Sequence, residues 1–153
     1  MIRNNNGYNT DRWNKHFNLS EKTTTCLAVK IFNLNKKDFV VLEDEFKNVA
    51  NNLIITTDDG TYGNSGFAIN YLEKDLNEKN IDAIYACGPL PMLKAVKKLA
   101  ESKNIFCEIS LEQRMACGVG ACMGCSVKLT TEAVNYARVC KDGPVFDSKS
   151  VEI

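Results

Sequence analysis

An excess of charge of either sign is missing from this sequence: Lys plus Arg number 19, and Asp plus Glu number 19. A balanced total leaves no net field to gather nucleic acid or an anionic membrane. Long apolar runs are missing too, and none approaches the roughly 18–20 residues needed to span a bilayer. The first 25 residues lack the apolar core of a secretory signal, so the expected compartment is the cytoplasm. Histidine occurs only as His16 and tryptophan only as Trp13; a single His outside any cluster reads as a solvated side chain. Against these absences stand 153 residues, room for one domain with a small appendage, and seven cysteines. Their number is odd and the expected compartment is reducing. Metal binding or redox chemistry therefore explains them better than a disulfide framework.

Residues 1–25 are polar and Asn-rich, follow neither a helical nor a strand period, and read as an irregular head. From Cys26 the pattern alternates. Strands are expected at Cys26 to Phe32, Leu53 to Thr57, Ile81 to Cys87 and Ile105 to Ile109. Between them, Asp38 is placed to cap a helix with a buried stripe of Phe39, Leu42, Phe46 and Val49. A second helix is expected from Phe67 to Lys79, with Phe67, Tyr71 and Leu72 on one side. A third has Pro91 in its first turn and buries Met92, Val96, Leu99 and Ala100. Such β-α alternation argues for an α/β fold, a parallel sheet with covering helices, over residues 26–110. After Leu111 a compact Cys- and Gly-rich region, 111–153, takes over, with a loop expected near 130–136.

The most specific pattern is Cys117, Cys122 and Cys125, spaced C-x4-C-x2-C, with Cys140 following. The first part is the plant-type iron–sulfur spacing. A [2Fe–2S] cluster needs two thiolates per iron, and one tight loop can deliver three of the four. Gly118, Gly120 and Gly124 allow amide N–H groups to approach anionic sulfur. Zinc is the main rival, but structural zinc usually takes two short chelating pairs, whereas the fourth cysteine here stands alone. Unliganded thiols are the third reading. Cys26 and Cys107, inside expected strands, read as small buried hydrophobes. Cys87 ends a strand just before Gly88 and Pro89. Carboxyl ends of parallel strands are where ligands bind, although a strand stop and a helix start explain the same residues. The loop Asp58-Asp59-Gly60-Thr61-Tyr62-Gly63-Asn64-Ser65-Gly66 also joins a strand to a helix. Its two carboxylates suit ribose hydroxyls or an amide better than a pyrophosphate, and an exposed turn is the plainer reading.

Four segments occur in a telling order: Thr57 to Gly63; Tyr85-Ala86-Cys87-Gly88-Pro89-Leu90-Pro91-Met92; Ser110-Leu111-Glu112-Gln113-Arg114-Met115-Ala116-Cys117 through Cys122; and Arg138-Val139-Cys140-Lys141-Asp142-Gly143-Pro144-Val145-Phe146. Together they resemble the electron-transfer subunit of the bacterial NAD-linked dihydroorotate dehydrogenase, a ferredoxin-reductase-like flavoprotein. The resemblance covers about residues 27 to 153. It implies FAD and one [2Fe–2S] cluster as cofactors, NAD as the nucleotide, and an FMN-bearing catalytic subunit as partner in pyrimidine biosynthesis. It further implies Cys117, Cys122, Cys125 and Cys140 as cluster ligands. Cys87, Gly88 and Pro89, with Met92 behind them, match the turn beside the nicotinamide, and Asp58, Asp59, Gly60, Gly63 and Gly66 match a loop near the pyridine nucleotide. The family's flavin-binding barrel motif and its first phosphate loop have no counterpart in residues 1–25. The chain is thus expected to correspond to the C-terminal part of the subunit, to be an oxidoreductase component rather than an enzyme alone, and not to oxidise NADH by itself.

Two other readings remain open at this level. One is a non-catalytic module whose metal site only holds structure or mediates assembly. The other is the electron-transfer subunit of a different flavoprotein, of the sulfide dehydrogenase or ferredoxin–NADP transhydrogenase type. In that type an Asp supplies the first cluster ligand, and Cys117 argues against it.

Overall fold

The computed structural model describes residues 29–130 and 136–153. The irregular head, His16, Trp13, Cys26 and most of the loop near 130–136 lie outside the described residues. Two compact units divide the chain, one formed by 1–30 with 42–53 and the other by 31–41 with 54–153.

Of the first unit, the chief described element is α1 (Glu43–Val49). Its first turn carries Glu43, Asp44 and Glu45, which favour the positive end of the helix dipole. Lys47 closes an i,i+4 pair with Glu43 at 2.7 Å, and Phe46 is buried. The expected start at Asp38 is corrected. A short 3-10 turn at Lys37–Phe39 gives way to extended backbone at Val40, and Leu42 sits in the left-handed region at φ 58°. The β-branched pair Val40-Val41 disfavours helix, so Phe39 and Leu42 fall outside the helical stripe and are exposed.

Among the described residues the strands form three sheets, two of them with parallel pairing, rather than one run of four. The first is ordered β1 (Val29–Leu34), β2 (Asn52–Thr57) and β3 (Asn64–Ser65), with Thr56 opposite Asn64 in parallel register. The second joins β4 (Ala83–Cys87) to β5 (Phe106–Ser110) in parallel, Cys87 opposite Ser110. β8 (Val145–Asp147) adds to β5 antiparallel. β6 (Ser126–Lys128) and β7 (Tyr136–Arg138) make a separate antiparallel pair, and α4 (Val139–Asp142) follows at once.

Two helices flank this frame. α2 (Ala68–Glu78) buries Asp75 and Leu76. Phe67, expected inside its apolar face, is instead the extended residue before the helix and stays 65% exposed. In α3 (Leu90–Lys103) Pro91 lies in the first turn as expected. The buried stripe runs Leu93, Val96 and Ala100, while Met92 and Leu99 are only half-buried. These side chains join Ile84, Cys107, Ile109, Leu111, Cys125, Val127, Val139, Phe146 and Val151 in one hydrophobic core. The residues after Leu111 therefore pack on the same core as β4 and β5. Among the described residues, no helix is long and apolar enough to cross a membrane.

Candidate metal centre

The candidate centre grows from the end of β5. Leu111, buried, donates its N–H to the Pro144 carbonyl at 2.9 Å and anchors the start of the loop that runs to Cys125. Within the loop, Gly118 (φ +67°) and Gly120 (φ +80°) take left-handed backbone that permits its tight reversals. The β6–β7 register sets Ser126 opposite Arg138. That pairing carries Cys140, distant in sequence, back beside Cys125. Val139 N–H donates to the Cys125 carbonyl at 3.0 Å, and Cys140 N–H to Cys125 Sγ at 3.4 Å.

The thiols influence one another in two pairs, Cys117 with Cys122 and Cys125 with Cys140. Ala121 N–H donates to Cys117 Sγ at 3.3 Å, and Gly124 N–H to Cys122 Sγ at 3.4 Å. Backbone N–H groups, first from Val119 and then from Cys122, with the Cys122 side chain, bring the Cys117 thiol down to about 6. The Cys140 backbone and side chain likewise lower Cys125, whereas the bond from Cys125 raises Cys140. Cys125 is 3% exposed and part of the core, yet these hydrogen bonds outweigh desolvation in its acidity. Among the described residues no group of three or more His, Cys, Asp or Glu side chains is set to hold a metal ion. Backbone N–H donors at Cys117, Cys122 and Cys125 suit a centre carrying anionic sulfur.

The other expected site residues lie elsewhere in the second unit. Cys87 is exposed at the end of β4. A Cβ on Gly88 would come within 2.6 Å of Met92 Cε, so the turn and Met92 are in close contact. A cavity of about 330 Å³ opens beside this turn, lined by Gly88, Leu90, Leu93, Leu111, Glu112, Gln113, Val127, Glu152 and Ile153. Sequence reasoning missed Glu112, Gln113, Glu152 and Ile153 as lining residues, because only the tertiary fold brings the chain's last residues to the β4 turn. In the remaining loop Asp58 accepts from Asn33 Nδ2 at 2.9 Å. Asp59 accepts from the Thr61 hydroxyl at 2.7 Å and from its N–H at 3.0 Å, which holds its carboxyl below the ordinary range. Gly60 and Gly63 take positive φ within the turn, and Gly66 follows at the approach to α2.

An α/β frame thus carries a loop with three cysteines, a fourth cysteine on α4 beside it, and backbone N–H donors aimed at sulfur. Residues 112–152 match the iron-sulfur cluster binding domain of dihydroorotate dehydrogenase B. Over most of its length the chain is similar to proteins described as the electron transfer subunit of dihydroorotate dehydrogenase B (NAD(+)). It is 43% identical to the Caldanaerobacter subterraneus subunit over 65% of this chain and 40% of that one. With the Fusobacterium nucleatum subunit it shares 43% over 82% of this chain and 48% of the other. The Bacillus pumilus subunit is 36% identical over 90% of this chain and 52% of its own length. The chain thus spans about half the length of the curated relatives it matches. Among solved structures, a chain of the NADH-dependent reduced ferredoxin-NADP oxidoreductase superposes with a TM-score of 0.68 at 28% identity, covering 81% of this chain and 44% of that one.

Proposed function

We propose that the chain is a one-electron carrier that holds a [2Fe–2S] cluster through Cys117, Cys122, Cys125 and Cys140. The observation that carries this reading is the set of backbone N–H donors aimed at cysteine sulfur, from Ala121 to Cys117, Gly124 to Cys122 and Cys140 to Cys125. When bound, such a cluster accepts and releases one electron at a time. The chain's own contribution is to supply two thiolates per iron, to direct N–H groups at sulfur, and to fix the site on the core through Cys125. Kinship with electron transfer subunits supports a place in dihydroorotate oxidation, between an FMN-bearing catalytic subunit and FAD and NAD, in the cytoplasm. In this reading 111–153 carries the cluster and 26–110 the nucleotide-facing part. Cys87, Gly88, Pro89 and Met92 stand at the nicotinamide, and Asp58, Asp59, Gly60, Gly63 and Gly66 near the rest of the nucleotide.

Anaerobic reconstitution with iron and sulfide tests the reading, followed by EPR of the dithionite-reduced protein. The parent and Cys107→Ser should both show the signal of a reduced [2Fe–2S] cluster, and Cys122→Ser should lose it. Equal loss from the two replacements, or stoichiometric zinc in a colourless parent, would overturn it.

A further inference from the structure

The Gly120–Ala121 peptide group is held from both ends. Its N–H, on Ala121, donates to Cys117 Sγ at 3.3 Å. Its carbonyl oxygen, on Gly120, accepts from Arg138 Nη1 at 2.7 Å. The guanidinium is fixed in turn by Asp142: Nε donates to Oδ2 at 3.1 Å and Nη2 to Oδ1 at 3.5 Å, while the Arg138 backbone N–H donates to Oδ2 at 2.8 Å. The Arg138 side chain keeps 28% exposure, so water screens it incompletely. A Cβ on Gly120 would fall 2.6 Å from Lys141 Cδ and 2.9 Å from Lys141 Cβ, so the peptide lies close against α4.

We propose that Arg138 is a positioning residue that raises the electron affinity of the cluster by orienting and polarising the Gly120–Ala121 peptide against Cys117. The inference rests on the four-thiolate reading above. A cation at the carbonyl oxygen draws density from the peptide nitrogen and makes its N–H a better donor, as in any hydrogen-bonded chain. A bond from a charged donor is roughly twice as strong as a neutral one, so the arginine also resists rotation of the peptide away from sulfur. Hydrogen bonds to cluster sulfurs are among the determinants of the reduction potential. They favour the reduced state because it carries more negative charge. Asp142 holds the guanidinium at the angle that reaches Gly120. A merely structural tie between β7 and the loop would lower thermal stability on removal and leave the potential where it was.

The test is an EPR-monitored redox titration of the reconstituted full chain, comparing the parent with Arg138→Gln and Arg138→Lys. Gln removes the charge, whereas Lys keeps it on a head that cannot serve Gly120 and Asp142 together. Arg138→Gln should reduce the equilibrium constant for one-electron reduction roughly tenfold, a fall in midpoint of about 59 mV, and Arg138→Lys should fall between it and the parent. An unchanged midpoint in Arg138→Gln, or equal shifts in both variants, overturns the inference while leaving the cluster assignment intact. If Arg138→Gln assembles no cluster, Arg138→Lys decides: a lower midpoint supports the role and an unchanged one overturns it. A parent that takes up no iron and sulfide overturns the cluster assignment and this inference together.

Discussion

At the scale of single residues, the acidities of the cysteines separate two kinds of thiol. Backbone donors led by Val119 bring Cys117 to about 6, so in the metal-free chain it is mostly thiolate at neutral pH. Burial raises Cys107 above its ordinary value. Because thiolate is the nucleophile, alkylation of the apo-protein by iodoacetamide should accelerate as pH rises through about 6 at Cys117 and stay slow at Cys107 throughout. Peptide mapping after a short pulse at several pH values checks this, and equal labelling of the two would contradict it. The candidate ligands were legible in the sequence because their spacing is a property of the chain alone. Arg138 was not: its bond to Gly120 exists only once β7 and the loop are folded together. The two carboxylates at Asp58 and Asp59 were visible as residues, but their local partners Asn33 and Thr61 were not.

At the scale of elements, strand centres were readable and stripe registers less so. Alternation located β2, β4 and β5 because β-branched and apolar runs between turn residues carry that information. In α3, a period of 3.6 accommodates either Met92 or Leu93 as the innermost residue, and contact with β4 and β5 settles it in favour of Leu93, which is 1% exposed. Leu93→Ala should therefore cost about 2–5 kcal/mol in chemical denaturation, whereas Phe67→Ser, at an exposed position outside α2, should stay within about 0.5 kcal/mol. The loop after β2 has a sharper constraint. Gly63 has φ +65°, and a Cβ there would collide with the Ile55 carbonyl. Gly63→Ala should destabilise the protein by more than about 1 kcal/mol, from the lost left-handed freedom and the collision together; a neutral effect would show that the turn relaxes freely.

At the scale of the whole molecule, the cysteine-rich loop after β5 turns apolar side chains outward. Val119 is 74% exposed, and Met115 and Met123 are about half exposed. Apolar groups gathered on one loop are the kind of surface that a partner covers. Met123→Glu should weaken association with a dihydroorotate dehydrogenase catalytic subunit by tenfold or more, about 1.4 kcal/mol. An unchanged affinity in a titration would mean that the partner docks elsewhere. On the other side of the same loop, Cys125 sits in the hydrophobic interior with Leu93, Ile109, Val139 and Val151. Colour then becomes a gauge of the interior. With Cys125 as a cluster ligand, as proposed, heating the iron-loaded protein should bleach its visible absorption and abolish its far-ultraviolet dichroism in a single transition, because that sulfur cannot leave its place while the core around it stays shut.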